Sequence, residues 1–241
     1  MKRTSYGWEF IGRVLESRAL TPSAHGIVVE RPKEFEFRPV QFTFLSLKTA
    51  ESQDWQDFRP MSLASSPTRP HLEYGVRLGE SPWKRAFAGL KAGDEVMVEG
   101  PAGHFVLDAS RPAVFVVGGI GVTPIKGMIE YATDLAAPVP LRLLAGNRST
   151  EEIPYREELE ALARRNPLLR ITNAISRGDP GPSGVRGRID AKLLAQVAEG
   201  LEAPVYYVCG GPEFVDSVTN VLYSRLGAPG PDIRAEQFRG Y

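Results

Sequence analysis

Residues 113–124 read AVFVVGGIGVTP, and the rest of the chain can be read outward from them. Ala113–Val117 is short, apolar and β-branched, the pattern of a strand buried on both faces. Gly118, Gly119 and Gly121 then let the backbone turn sharply, and Thr123-Pro124 opens a helix running to Leu135. Such a turn lets a ligand approach the main chain, and the helix N-terminus offers unpaired N–H groups and a positive dipole to a phosphate. It is not the common dinucleotide fingerprint, because Pro124 stands at the third glycine position. On these residues alone, a plain tight strand-to-helix turn remains an equal reading.

C-terminal to this stretch, strands and helices alternate. Strands are expected at Leu141–Ala145, Leu169–Ile175 and Val205–Cys209, and helices at Glu151–Arg164, Ala191–Ala198 and Glu213–Leu226. That order implies a parallel sheet with helices on both faces. N-terminal to it, short strands follow one another: Trp8–Glu16, Gly26–Arg31, Gln41–Leu47, His71–Leu78, Glu95–Glu99 and Phe105–Leu107. Closely spaced strands with turn residues between them imply a barrel or sandwich. One helix, Trp83–Leu90, interrupts them, with Ser81 as its cap and Pro82 at its first position. The expected fold is therefore β plus α/β in two domains, an antiparallel β-domain over residues 1–110 and a parallel-sheet α/β domain over 111–241.

Composition narrows the function. The 241 residues are 42% hydrophobic and 24% charged, enough for sizeable cores. Positive and negative side chains number 29 each, with 14 of each up to Ser110 and 15 of each beyond it. Neither half is a basic module, which argues against nucleic acid as partner. The single cysteine, Cys209, excludes an internal disulfide, a four-cysteine iron–sulfur cluster and a Cys-rich zinc site. His25, His71 and His104 have no ligand spacing, so no metal is expected. No leader-like run opens the sequence and no stretch is apolar enough to span a bilayer, so a cytoplasmic location is expected.

Two further segments carry chemistry. Cys209-Gly210-Gly211-Pro212 ends the last strand, where open parallel sheets bind ligands, although Cys209 by itself reads as a small buried hydrophobe. Arg59–Pro67, RPMSLASSP, sets one Arg before a run of hydroxyls. Arg grips phosphate through a bidentate fork, while a solvated edge strand would show the same composition.

Taken in order, RPMSLASSP, GES before a helix, GPAGHF, GGIGVTP, GNR, ISR, CGGP and AEQF resemble the ferredoxin–NADP reductase superfamily over nearly the whole chain. Within it the chain is most similar to bacterial stand-alone FAD-dependent oxidoreductases ending in Glu-x-Phe-x-Gly-Tyr. The resemblance implies a six-stranded antiparallel flavin barrel followed by a nucleotide-binding α/β domain. It assigns Arg59 to the flavin phosphates, Pro60 to the same cofactor-binding stretch and Ser62 to the ring near its reactive nitrogen. Met61 stands where the family has Tyr or Phe stacked on the isoalloxazine, and Val40 where it usually has Gly. Tyr74, Val76 and Arg77 match the next flavin-lining strand, mostly through backbone groups. Glu80, Ser81 and Pro82 match the turn that holds the pyrophosphate.

The resemblance further assigns Gly119, Gly121, Thr123 and Pro124 to the nicotinamide nucleotide's pyrophosphate. Cys209, Gly210, Gly211 and Pro212 match the loop near the nicotinamide. Arg148, Ser176 and Arg177 end the next strands. A Ser-Arg pair at 176–177 holds a 2′-phosphate in NADP-dependent members, and Arg186 and Arg188 add charge, so NADPH is preferred to NADH. Glu236 matches a proton-relay carboxylate and Phe238 an aromatic covering the flavin, with Tyr241 as its rival. The implied activity is an FAD-dependent NAD(P)H oxidoreductase in which Ser62, Cys209 and Glu236 serve the chemistry. Its electrons would go to a separate acceptor: a ferredoxin, a flavodoxin, a quinone or free flavin. The alternatives are an electron-transfer subunit of a larger complex and a flavin-binding module without turnover of its own.

Overall fold

The computed structural model of the chain describes residues 1–39, 41–49, 54–55, 57–181 and 184–238. Its first part holds β1 (Lys2–Thr4), β2 (Gly7–Thr21), β3 (Ala24–Glu30), β4 (Phe42–Ser46), β5 (Arg59–Ser62), β6 (His71–Arg77), the helix α1 (Pro82–Gly89) and β7 (Glu95–Ala102). The strands run antiparallel in the order β5-β4-β7-β2-β3-β6, with β1 paired to β2 off this path. The two ends approach where Ala64, just past β5, donates its N–H to Glu73 O on β6 at 2.8 Å. The result is a nearly closed barrel. Period-2 alternation fills it: Phe10 and Val14 of β2 and Ile27 and Val29 of β3 point inward, while Ile11 and Leu15 stay exposed. Trp83 and Phe87 of α1, stacked at 5.3 Å, close one end of this core.

The second part holds β8 (Ala113–Gly118), α2 (Val122–Asp134), β9 (Leu141–Asn147), α3 (Arg156–Arg165), β10 (Leu169–Ile175), β11 (Gly184–Arg186), α4 (Ala191–Ala198), β12 (Val205–Gly210), α5 (Pro212–Leu226) and β13 (Ile233–Gln237). All six strands are parallel, in the order β11-β10-β9-β8-β12-β13. The apolar run of β8 serves both faces. Phe115 and Val117 pack with α2 and α3, and Val114 and Val116 with α4 and α5. The chain order places β8 at the centre, so its carboxyl end, with that of β12 beside it, opens towards the barrel.

Three sequence expectations change. Phe105–Leu107 forms no strand; it crosses between the two sheets, with Phe105 edge-on to Tyr207 at 5.7 Å. The helix expected over Glu151–Arg164 is split, because Pro154 interrupts it and Tyr155 turns left-handed at φ 57°. A 3-10 turn occupies Thr150–Glu152, and α3 begins only at Arg156. The short strands β1, β11 and β13 carry no apolar alternation and were not expected. Among the described residues, no helix is long and apolar enough to cross a membrane.

Candidate functional site

A cavity of about 1320 Å³ lies between the barrel and the carboxyl ends of the parallel strands. On the barrel side, β5 brings Arg59, Pro60, Met61 and Ser62 to its wall, β6 brings Val76 and Arg77, and the first turn of α1 brings Trp83 and Lys84. Three cations thus converge. Burial first, and then the charges of Arg77 and Arg59, hold the Lys84 ammonium below its ordinary pKa. Arg59 pairs with Asp57 at 3.0 Å, leaving the cluster net positive and suited to a phosphate anion.

On the sheet side, the turn Gly118–Gly121 and Thr123 at the start of α2 line the wall. Gly121 is required there: a Cβ would fall 2.4 Å from the Cys209 carbonyl oxygen, so only glycine lets the turn cross the end of β12. Thr123 Oγ1 donates to Ile120 O at 2.7 Å and fixes the turn. Gly210, Gly211 and Pro212 continue the wall from β12 into α5, and Asn147, Arg148, Ser176 and Arg188 form its far end.

The two halves meet chemically at Ser62 and Glu236. Ser62 Oγ, on the barrel, donates to Glu236 Oε1, on β13, at 3.5 Å. The other carboxylate oxygen, Oε2, is buried without a partner. Burial pushes the Glu236 carboxyl from 4.5 up to about 7, and the bond from Ser62 opposes the shift. A carboxyl poised near neutrality can hold and release a proton at the cavity wall. Phe238 follows it along the wall, tied by its N–H to Gly210 O at 2.8 Å.

Several residues expected at the site lie elsewhere. Cys209 is fully buried in the core beside Gly121, and burial, then the Glu236 charge, push its thiol well up, so it cannot face a ligand. Tyr74 points into the barrel, where its hydroxyl meets Thr43 Oγ1 at 2.9 Å and burial raises its pKa. Ser81 is used as the cap of α1, accepting from Lys84 N at 3.4 Å. Glu80 and Pro82 also stand off the wall, as does Pro124, buried in the first turn of α2. Arg177 is exposed; its backbone N–H bonds Arg148 O at 2.7 Å, and Arg148 and Arg188 take the wall positions. Val40 and Tyr241 lie outside the described residues.

The structure adds residues that sequence reasoning did not assign. Phe42 lines the barrel wall, and Glu152 bridges the crevice by accepting from Thr21 Oγ1 at 3.1 Å and from the Ser23 hydroxyl. Trp83 Nε1 and Asn147 Oδ1 are buried without partners, and both residues lie on the wall. The cation cluster at one end, the glycine turns in the middle and Arg148 and Arg188 at the far end fit a long anionic ligand with a diphosphate. The only sequence signals were position: Trp83 two residues after the cap, Asn147 at the end of a strand.

Comparison with known proteins agrees. Residues 115–220 match the family described as Oxidoreductase NAD-binding domain. The chain is 32% identical over 240 residues to Ferredoxin--NADP reductase B of Sorangium cellulosum, covering 95% of this chain and 97% of that one. It is 30% identical over 230 residues to the glycine betaine monooxygenase reductase subunit of Chromohalobacter salexigens, but spans only 61% of that protein. In fold, it is similar to a ferredoxin NADP+ reductase from Neisseria gonorrhoeae solved with FAD and NADP, with TM-score 0.80 and 22% identity over 95% of this chain and 98% of that one.

Proposed function

The chain belongs to the ferredoxin–NADP reductase superfamily, and from that premise we propose that it is an FAD-dependent NAD(P)H oxidoreductase that passes electrons to a separate acceptor. Bound FAD would supply the redox chemistry, hydride acceptance from a dihydronicotinamide and electron delivery to an acceptor. The residues of the chain bind, orient and manage protons. Arg59, Arg77 and Lys84 hold the FAD diphosphate, and Met61, Ser62 and Val76 support its ring. The Gly118–Gly121 turn and Thr123 at the start of α2 hold the nicotinamide nucleotide's diphosphate. Gly210, Gly211 and Pro212 shape the floor beneath the nicotinamide, and Phe238 shields that face from water.

The observation that carries this reading is the Ser62–Glu236 contact across the two halves, with a carboxyl held near 7. Glu236 holds and releases a proton at the cavity wall, and Ser62, donating to its Oε1, fixes the orientation of the carboxyl. NADPH is the preferred donor because Arg148, Ser176 and Arg188 gather at the far end, where a 2′-phosphate gains charge-assisted hydrogen bonds. The acceptor is an iron–sulfur or flavin protein in the cytoplasm. Among the described residues no cluster of His, Cys, Asp or Glu could hold a metal of the chain's own.

The test is reduction of the purified yellow protein under anaerobic conditions by NADPH and by NADH, followed at the flavin absorbance. Faster bleaching by NADPH supports the reading. A protein that takes up no FAD, or whose flavin neither nucleotide reduces, overturns it.

A further inference from the structure

Away from the cavity, the barrel and the α/β part meet through buried ions. Lys126, one turn into α2, donates from Nζ to Glu73 Oε2 on β6 at 2.5 Å and to Ala64 O at 3.4 Å. The side chains of Lys126 and Glu73 are only 5% and 6% exposed. Glu73 Oε1 accepts from Arg18 of β2 at 3.2 Å, and Arg18 also pairs with Glu158 of α3. The Lys126 ammonium stands 5.3 Å from the centre of the Tyr155 ring. The Tyr155 hydroxyl presses on Gly75, where a Cβ would come within 2.4 Å of it. One turn further along α2, Glu130 accepts from Ser66 N at 2.9 Å and from Arg69 at 2.7 Å.

The Lys126–Glu73, Arg18–Glu158 and Tyr155–Gly75 contacts and those of Glu130 join one half to the other, while the Arg18–Glu73 pair and the Lys126–Tyr155 contact brace each half from within. The helix α2 begins at the glycine turn on the sheet side. The strand β6 continues from Glu73 into Gly75, Val76 and Arg77 on the barrel side, and residues 64–66 follow directly from Arg59–Ser62 of β5. Stability does not explain the buried pair, because desolvating two charges offsets much of their attraction, and a packed apolar pair is often as stable or more so. Ionic hydrogen bonds do have direction and length, whereas apolar contact is non-directional and lets surfaces slide.

We propose that Lys126 and Glu73 are positioning residues: their pair fixes α2 against β6 and so sets the spacing of the two cofactor walls across which hydride passes. The proposal rests on the oxidoreductase reading above. It assigns no chemistry to either side chain, since neither lines the cavity.

The test is the double variant Lys126→Met/Glu73→Leu in the full chain with its flavin. Neither change strands a charge, because Arg18 keeps Glu16 and Glu158 and Glu130 keeps Arg69. The expected result is an unchanged or higher thermal midpoint with flavin reduction by NADPH slowed about tenfold to a hundredfold, as for a misplacement of about 1 Å. The charge-transfer absorbance on mixing should fall. The amide pair Lys126→Gln/Glu73→Gln keeps a directional bond and should restore most of the rate. Spin labels at Lys91→Cys and Arg164→Cys, both exposed positions on opposite halves, should give a broader distance distribution in the apolar double variant, with or without flavin. A double variant with wild-type rate and wild-type distance width overturns the proposal. So does one whose rate falls only with its stability, or one that does not fold. A wild type that binds no flavin overturns the function proposed above instead, and the label distances then decide this one.

Discussion

Replacing Glu236 with Gln removes an acid that the fold makes titrate near neutrality, and the consequence for stability has a definite sign. In the folded protein the carboxyl titrates near 7 instead of 4.5, so between those values the native state binds more protons than the unfolded chain. Stability therefore falls as pH rises through that window; the contribution is fully present below 4.5 and fully lost above about 7. At about 1.4 kcal/mol per pH unit, the shift corresponds to roughly 3 kcal/mol, reduced to about 2–3 kcal/mol because the residue is not wholly shielded from water. Gln carries no such dependence. On going from pH 4.5 to pH 8, the Glu236→Gln variant should gain about 2–3 kcal/mol relative to wild type, or roughly 4–12 °C in thermal midpoint for a chain of this size. Over the same range its turnover with an acceptor should lie about a hundredfold below wild type, the scale of a lost general acid, with nucleotide affinity retained. Thermal unfolding of both proteins across that range, alongside steady-state turnover, provides the assay. Midpoint curves that stay parallel from pH 4.5 to pH 8 would refute the buried, proton-holding carboxyl.

Other consequences can be checked separately. Arg188→Ala should weaken NADPH about tenfold to a hundredfold, the cost of one charge-assisted bond at roughly 1.5–3 kcal/mol, while leaving NADH binding nearly unchanged; Arg177→Ala should do much less, and the reverse order would return Arg177 to the wall. Phe238→Ser should raise NADPH oxidation without an acceptor and strengthen the charge-transfer absorbance, and no change in either would remove Phe238 from its shielding role. Tyr74→Phe should cost about 1–3 kcal/mol of stability by leaving the Thr43 hydroxyl buried and unpaired, with no change in the flavin spectrum; a spectral shift would return Tyr74 to the cofactor.

The two-layer pattern of the fold was legible because its cause is local. The β8 run AVFVV is apolar on both sides because helices cover both sides, and the barrel strands alternate because one face meets the core. What escaped the sequence depends on neighbours. Ile233–Gln237 reads IRAEQ and becomes a strand only because β12 beside it offers an unpaired edge. Phe105–Leu107 is apolar enough for a strand, but it packs against Tyr207 without strand pairing. At the site, Arg59, Ser62 and the glycine turn line the cavity as the motifs implied. Cys209 does not, since its thiol side chain turns into the core while its carbonyl meets the turn. Ser81 likewise bonds its own helix, which leaves Lys84 and Trp83 facing inward. Motif position identifies the segment; which atoms of it face the ligand is decided by strand pleat and capping.

Anaerobic stopped-flow mixing of the purified protein with NADPH, read at the flavin absorbance, tests the central claim most directly. Rapid and complete bleaching of bound FAD by NADPH, slower with NADH and restored on adding an oxidised iron–sulfur or flavin protein, is the result predicted here. Flavin that stays oxidised in the presence of NADPH, or a protein that binds none, would contradict it.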